Sequence, residues 1–390
     1  MKKKGYILIL IVIAQFFCTS LWFAGNGVMK DLILVFQLKN DASANLTSAV
    51  QLGFIIGTLS FALLSIADRF SPSKVFFVCA ILAAFFNLGI SWQGNSLVSL
   101  LLLRFSTGFF LAGIYPVGMK IAADHFDKEL GKSLGYLVGA LVLGTAFPHF
   151  LALFTTSLPW KLVIYVTTIL AIIGGLLIFL FVPDGPYRKK SLGFKLSSSI
   201  HVFKNWNFRA AAFGYFGHMW ELYTFWTFVP LILTTYQKIN RNVSYSISLW
   251  AFIIIATGSI ACIVGGYLSL KWGAKKVATY ALAISGICCL LSPISFLLNK
   301  SLFIVFLLIW GFTVIMDSPL FSTLVAKNAD PKIKGTALTI VNSIGFALTI
   351  VSIQTLHLLH TYINFTYLFV ILAVGPILGL WALYHKKATH

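Results

Sequence analysis

Twelve apolar stretches of about 20 residues run through the whole chain, and they constrain its fold more than any other feature. Hydrophobic residues make up 59% of the chain and charged residues only 10%, unlike the balance of a soluble domain. A single globular core cannot bury so much apolar surface, so we expect lipid to surround most of these stretches. The chain is predicted to be an all-α membrane protein with twelve transmembrane helices. The predicted bounds are 6–29, 43–66, 74–94, 97–122, 133–156, 160–182, 210–235, 246–270, 276–297, 302–325, 336–358 and 364–385.

Lysine and arginine are distributed unevenly between the two predicted sides of the membrane. An even number of spans puts both termini on one side, and 22 of the 29 basic residues fall on that side, against six on the other. Because cytoplasmic loops carry the excess of basic residues, we predict a multi-pass protein of the inner (plasma) membrane with both termini cytoplasmic. The net charge of +19 thus reflects the orientation of the chain in the membrane, and no nucleic-acid partner is expected.

Several landmarks recur in the same order at nearly constant spacing. Gly108 and Pro116 are eight residues apart in the fourth stretch, and Gly311 and Pro319 are eight apart in the tenth, at an offset of 203. Two further pairs of positions correspond at offsets of 202 and 204. This repeat predicts two pseudo-symmetric six-helix bundles.

The longest connection between apolar stretches lies between the sixth and the seventh, and it is rich in basic residues and serine. It divides the chain into an N-terminal bundle over residues 1–182, a cytoplasmic linker over 183–208 and a C-terminal bundle over 209–390.

These landmarks also carry a resemblance to a known family. Asp68 and Arg69, after the second stretch, resemble part of the G-x-L-a-D-r-x-G-r-k signature of the major facilitator superfamily, although other residues replace its glycines and one basic residue. The segment Arg104–Gly108 looks like the R-x-x-x-G motif of that superfamily. Gly214–Tyr223 and Asp317–Pro319 are similar to segments of a bacterial branch with poorly assigned substrates. The resemblance implies the superfamily fold and alternating access around a midplane site.

A few ionisable residues lie within the apolar stretches, where a charge at the bilayer centre costs ~2.5–3.5 kcal/mol. His218 and Glu221 share a broad face of the seventh stretch, and Asp317 lies in the middle of the tenth. We hypothesise that Glu221, helped by His218, and Asp317 carry protons, because a carboxyl group in a low-dielectric site favours its neutral form. The alternatives are a hydrogen-bonded packing role for Glu221 and capping of the Pro319 break by Asp317. No second His/Glu pair is spaced to complete a metal site, so no metal is expected.

Arg104 has three interpretations from sequence. It binds an anionic group of the substrate, it pairs with Asp317 or Glu221, or it bonds to neighbouring helices. Uncharged polar and aromatic side chains in the first, seventh and eleventh stretches are further candidates for substrate contact, although helix packing accounts for them equally well. The predicted substrate-binding residues are Arg104, Gln15, Trp22, Asn26, Tyr223 and Asn342.

Asp68 and Arg69 lie between the second and third stretches and are predicted to gate the transporter. With Lys74 nearby, they are expected to bridge to helix ends of the opposite half and hold the outward-facing state.

The chain has no GxxxxGK[ST] phosphate-binding motif, so an ion gradient is the expected source of energy and protons are favoured. We predict a monomer without cofactor, in the lipid bilayer, that transports a small organic solute, including organic anions, by proton symport. Proton-antiport efflux is the alternative. A membrane enzyme, a channel or a non-transporting sensor is disfavoured by the absence of a recurring catalytic cluster, by the duplicated halves and by the lack of an added soluble domain.

Overall fold

Every element of the structure is helical over the part of the chain that it describes. This computed structural model describes residues 2–39, 41–126, 130–156, 158–188, 202–329 and 334–385, and no β-strand occurs within these ranges. The first half holds α1 (Lys2–Thr19), α2 (Ala24–Gly27), α3 (Met29–Val35), α4 (Ala42–Leu63), α5 (Ile66–Arg69), α6 (Pro72–Gly89), α7 (Leu97–Leu111), α8 (Tyr115–His125), α9 (Leu130–Leu151) and α10 (Lys161–Phe181). The second half holds α11 (Trp206–Ile239), α12 (Ile247–Trp272), α13 (Ala274–Ser295), α14 (Lys300–Met316), α15 (Ser318–Asn328), α16 (Lys334–Leu359), α17 (Phe365–Leu368) and α18 (Val374–Tyr384).

Among the described residues, ten helical segments are long and apolar enough to cross a membrane. The first predicted stretch corresponds to a shorter apolar helix, Tyr6–Thr19, continued by α2 and α3. The seventh corresponds to α11, whose 34 residues reach roughly 50 Å at 1.5 Å per residue. Each of the twelve predicted stretches therefore matches one helix or one broken helix, and the prediction of an all-α membrane protein is confirmed.

Two spans are broken at equivalent places in the halves. α7 ends before α8, whose second residue is Pro116, and α14 ends before α15, whose second residue is Pro319. Proline is tolerated in the first turn of a helix because the backbone N–H that it lacks has no partner there. The repeat seen in the sequence thus places a helix break in each half.

The close contact between neighbouring helices also repeats. A Cβ atom on Gly108 would lie 2.0 Å from the carbonyl oxygen of Val50, and one on Gly311 would lie 2.3 Å from that of Ile254. The glycines are 203 residues apart and the carbonyls 204, so α7 meets α4 as α14 meets α12. Small residues let helix backbones approach closely in membranes. The predicted pseudo-symmetry of the two bundles is therefore visible in their packing.

The most extensive contacts between the halves are formed by two helix pairs: α4 packs against α16, and α9 packs against α12. Gln354 on α16 donates hydrogen bonds from Nε2 to Ser48 Oγ at 2.9 Å and to Asn45 Oδ1 at 3.3 Å on α4. On the other pair, the hydroxyl oxygens of Tyr136 and Tyr267 are 3.3 Å apart. Movement of one half against the other must break or slide these contacts.

The beginning of the predicted linker 183–208 is attached to the first half. Arg188 forms an ion pair with Asp184 at 2.6 Å and donates to the carbonyl oxygens of Asp68 at 3.2 Å and Phe70 at 2.8 Å. Residues 189–201 of the linker lie outside the described residues. The domain boundaries at 182 and 209 stay a prediction.

Candidate functional site

The ionisable residues that the sequence analysis singled out inside the spans are buried in the protein rather than exposed to lipid. Arg104 and His218 are 1% exposed, and Glu221 and Asp317 are fully buried. Such residues are costly in a membrane protein and are usually functional. Their partners therefore decide what each can do.

His218 pairs with Asp317. His218 Nδ1 on α11 lies 2.8 Å from Asp317 Oδ1, at the junction of α14 and α15. The main-chain carbonyl of Asp317 accepts hydrogen bonds from the N–H groups of Leu320 at 3.0 Å and Phe321 at 2.8 Å, which begin the second half of the broken span. The ion pair thus joins α11 to the helix break.

Glu221 contacts two neighbouring helices of the C-terminal half. Its Oε1 accepts a hydrogen bond from Trp310 Nε1 on α14 at 2.6 Å, and its Oε2 accepts one from Ser285 Oγ on α13 at 3.0 Å. The carboxyl group therefore lies inside the C-terminal bundle. His218 contacts Asp317 rather than Glu221, and its predicted help to Glu221 in carrying a proton stays a prediction.

Arg104 bonds to the backbone of a neighbouring span, which is one of its three interpretations from sequence. Its Nη1 donates to the carbonyl oxygen of Leu21 at 3.0 Å, and its Nη2 donates to that of Trp22. Both carbonyls lie between α1 and α2, where the helix is interrupted. Within the described ranges Arg104 forms no ion pair, so the predicted pairing with Asp317 or Glu221 is absent. Binding of an anionic substrate by Arg104 stays a prediction.

Six buried aromatic side chains meet where the two halves come together, and we call them the aromatic cluster. They are Trp22, Phe23, Phe54, Tyr223, Trp226 and Phe346. The ring of Trp22 stacks on Tyr223 with centroids 5.8 Å apart and on Phe346 with centroids 5.6 Å apart. Trp22 belongs to the first half, and the other two rings belong to the second. The cluster therefore connects the two halves of the structure.

Sequence analysis identified Trp22 and Tyr223 but missed Phe54 and Phe346. Phe346 lies one turn after the predicted residue Asn342, on the same face of α16. Phe54 lies three residues after the polar residue Gln51 on α4, which is also about one turn. Because phenylalanine is abundant throughout the chain, only this spacing relative to polar residues distinguishes the two from lipid-facing rings.

Several buried donors and acceptors near the middle of the spans lack a partner in the described part of the protein. They are the indole N–H groups of Trp22 and Trp226 and both amide atoms of Gln15 and Gln51. A buried polar group without a hydrogen bond costs about 1–3 kcal/mol. Such groups are expected where a solute or water binds.

The remaining predicted substrate residues are spread over several helices. Asn26 Nδ2 donates to Thr47 Oγ1 at 2.8 Å, which joins α2 to α4. Gln15 is fully buried, and a Cβ atom on Gly118 would lie 2.4 Å from its Oε1, so this glycine of α8 makes room for the amide. Asn342 is half-buried on α16. Their role in substrate binding stays a prediction.

Of the two predicted gating residues, Asp68 forms an ion pair in its own half. Lys120 Nζ on α8 lies 3.0 Å from Asp68 Oδ1 and 3.7 Å from Asp124 Oδ1. Arg69 ends α5, and no ion pair of Arg69 occurs among the residues that the structure describes. Contact of Asp68 and Arg69 with the opposite half stays a prediction for another conformation.

Comparison with known proteins identifies the family. The sequence matches the Major Facilitator Superfamily model over residues 7–353, as the resemblance predicted. It is 34% identical over 148 residues to "Efflux pump FUB11" of Gibberella moniliformis (strain M3125 / FGSC 7600) and to "Efflux pump FUBT" of Fusarium oxysporum, in each case 37% of this chain and 24% of the relative. A further FUB11, from Gibberella fujikuroi (strain CBS 195.34 / IMI 58289 / NRRL A-6831), is 34% identical over 119 residues, 30% of this chain and 20% of that protein. The matched segment thus spans about a quarter or less of each curated relative.

Proposed function

Because the chain belongs to the Major Facilitator Superfamily and is a multi-pass membrane transporter, we propose that it couples the movement of a small organic solute to protons. The ion pair of His218 and Asp317 carries this proposal, since it joins α11 to the break between α14 and α15. Glu221 lies one turn further along α11, in the same bundle. All three side chains are buried, so a change in their protonation must be compensated by a change in their contacts.

The proton step follows from the cost of burying an unpaired charge. While His218 is charged and Asp317 ionised, their attraction holds α11 against the helix break. Protonation of Asp317 leaves a charged histidine without its counterion, which favours either loss of the histidine proton or separation of the helices. Separation of the helices on protonation would link the binding of a proton to a change in the conformation of the transporter.

The aromatic cluster supports a solute with a flat ring. Its members come from both halves, so a ring inserted between Trp22 and Tyr223 would contact both bundles at once. Aromatic side chains stack favourably at centroid distances of 4.5–7 Å. The unpartnered indole N–H groups of Trp22 and Trp226 would donate to acceptor atoms of the solute. Arg104, bonded to the carbonyl of Trp22 and without an acidic partner in the described ranges, favours a negative charge on it. A small aromatic acid is therefore the first class to test.

Symport is the first candidate for coupling. An anion that moves together with one proton carries no net charge across the membrane, so the voltage does not oppose its accumulation. Antiport efflux is the second candidate, and the names of the FUB11 and FUBT relatives favour it.

The experiment uses purified protein in proteoliposomes and benzenesulfonate, which stays ionised and does not carry protons through lipid by itself. Benzamide and benzyltrimethylammonium serve as neutral and cationic comparison solutes. A pH difference of one unit supports about tenfold accumulation in one-to-one symport, because tenfold corresponds to ~1.4 kcal/mol. We expect accumulation of benzenesulfonate in the alkaline compartment, with little movement of the other two solutes. Accumulation in the acidic compartment would identify antiport instead.

Asp317→Asn and Glu221→Gln test the proton assignment. Both variants keep the size of the side chain, and we expect both to retain exchange of benzenesulfonate without a pH difference while losing the accumulation that the pH difference drives. Asp31→Asn, on the short helix α3, is the matched control and should behave as the unchanged protein. Accumulation by both buried variants at the level of the control would overturn the proposed proton coupling.

A further inference from the structure

A cavity of about 410 Å³ lies in the C-terminal half, away from both the aromatic cluster and the His218–Asp317 pair. Its walls come from the first residues of α11 and α13 and the last residues of α15 and α18, so it lies on the side of the protein that carries most of the basic residues. The polar lining consists of Trp206, Asn207, Lys275, Asn328 and Tyr384. This volume is in the range of sites for small ligands.

The lining of the cavity favours an anion. Lys275 Nζ lies 5.1 Å from the centre of the Tyr384 ring, which holds the ammonium group at the cavity wall. Lys275 also belongs to the first turn of α13, where backbone N–H groups point toward the end of the helix. Gly273 directly precedes α13 and has no side chain to cap those N–H groups. A lysine, a helix N-terminus and the Asn207 amide therefore offer donors to one space.

No acidic side chain of the described C-terminal half neutralises this surface. Within residues 202–329 and 334–385 the acidic residues are Glu221 and Asp317, and both are buried in the bundle. Basic residues near the same ends of the helices are Lys204, Arg209, Lys271, Lys276 and Lys327. Their combined field attracts anions to the cavity.

The surroundings of the cavity favour an amphiphile over a free anion. Trp381, one turn before Tyr384 on α18, is 61% exposed, and Tyr280 on α13 is 52% exposed. Tryptophan and tyrosine are enriched where a membrane protein crosses the lipid headgroups. A molecule bound in the cavity can thus place a charged head beside Lys275 and apolar chains along these rings.

We propose that this cavity binds the phosphate headgroup of an anionic phospholipid. Basic pockets between transmembrane helices at the headgroup level are suited to such lipids. The proposal concerns a separate site from the one used for solute and protons, so either can fail without the other.

The test measures lipid binding by native mass spectrometry of the purified full chain in detergent, with phosphatidylglycerol or phosphatidylcholine added. We expect phosphatidylglycerol to be retained in preference to phosphatidylcholine. Lys275→Gln should weaken phosphatidylglycerol binding about fivefold, the effect of one lysine at an anionic lipid surface. Lys271→Gln is the matched control, because this exposed lysine lies in the last turn of the neighbouring helix α12 and does not line the cavity. It should reduce binding by less than about twofold.

Asn207→Leu provides a second variant that leaves the charge unchanged. The exposed asparagine lines the cavity, so a leucine there reduces both its volume and its polarity, and the variant should also bind less phosphatidylglycerol. Equal retention of the two lipids, or equal losses in the Lys275 and Lys271 variants, would overturn the site. Displacement of phosphatidylglycerol by excess inorganic phosphate would show that the cavity takes a free phosphate, and would overturn the assignment to lipid.

Discussion

Replacement of Gly108 by alanine is expected to separate two helices of the N-terminal bundle. The added Cβ atom would lie 2.0 Å from the carbonyl oxygen of Val50, whereas ordinary contact begins at 3.4 Å. The two backbones must therefore move apart by about 1.4 Å, because neither the glycine nor the carbonyl has a flexible side chain that can give way. Overpacking of this kind typically costs about 1–3 kcal/mol. Gly311→Ala should destabilise the C-terminal bundle in the same way.

Gly266→Ala is the matched control for this prediction. Gly266 also lies within a membrane span, on α12, but nothing lies within 4 Å of its added Cβ atom. Alanine is a better helix former than glycine by up to about 1 kcal/mol, so this variant should be as stable as the unchanged protein or slightly more stable.

Thermal unfolding in detergent can be followed with a thiol-reactive fluorescent dye. All five cysteines of the chain are buried, so reaction with the dye reports unfolding. A loss of 1 kcal/mol lowers the unfolding midpoint by roughly 2–4 °C in a large domain, so the Gly108 variant should unfold several degrees below the control. Equal midpoints for Gly108→Ala and Gly266→Ala would refute the proposed helix contact.

Three further substitutions test contacts of the site. Glu221→Ala leaves the indole N–H of Trp310 without its acceptor, whereas Ser285 keeps its hydrogen bond to the carbonyl oxygen of Leu282. The variant should lower the unfolding midpoint, since an unpaired buried group costs about 1–3 kcal/mol, and Glu221→Gln should restore most of it. Equal midpoints would contradict the hydrogen bond to Trp310. Arg104→Met removes two hydrogen-bond donors from the break between α1 and α2. Amide hydrogen exchange at the break, measured by mass spectrometry, should therefore become faster. Unchanged exchange would show that the guanidinium group does not stabilise the break. Gln354→Ala removes two hydrogen bonds between the halves. The distance between spin labels on the exposed ends of α3 and α16 should therefore increase. An unchanged distance distribution would show that these hydrogen bonds do not hold the halves together.

The helix breaks show how far local sequence determines the fold. Pro116 and Pro319 mark two of them, because proline removes a backbone hydrogen bond wherever it interrupts a span. The break between α1 and α2 has no such mark, since residues 20–23 contain neither proline nor glycine. Its freed carbonyls bond to Arg104, which is 82 residues away from Trp22 in the chain. A break stabilised by so distant a partner cannot be predicted from the local pattern.

In the candidate site, the sequence indicates which side chains are costly to bury but not which neighbours they contact. The cost of burying charge singled out His218, Glu221 and Asp317, and all three side chains are buried. Helical periodicity placed His218 and Glu221 on one broad face, yet three residues correspond to about 300° of rotation, which leaves the side chains about 60° apart. That angle is enough for one to reach Asp317 and the other to reach Trp310. Which neighbour each side chain meets depends on tertiary packing of the C-terminal bundle.

The helix α11 provides a direct physical route between the proposed proton and solute sites. Glu221 and Tyr223 are two residues apart, so their side chains point about 160° apart around the same helix and are separated by about 3 Å along it. One side chain lies among helices of the C-terminal bundle, and the other belongs to the aromatic cluster between the halves. A rotation or shift of α11 that follows a change in the His218–Asp317 pair must therefore also move the ring of Tyr223 against Trp22. Coupling between protons and solute then needs no long chain of contacts, because one rigid helix carries both sites.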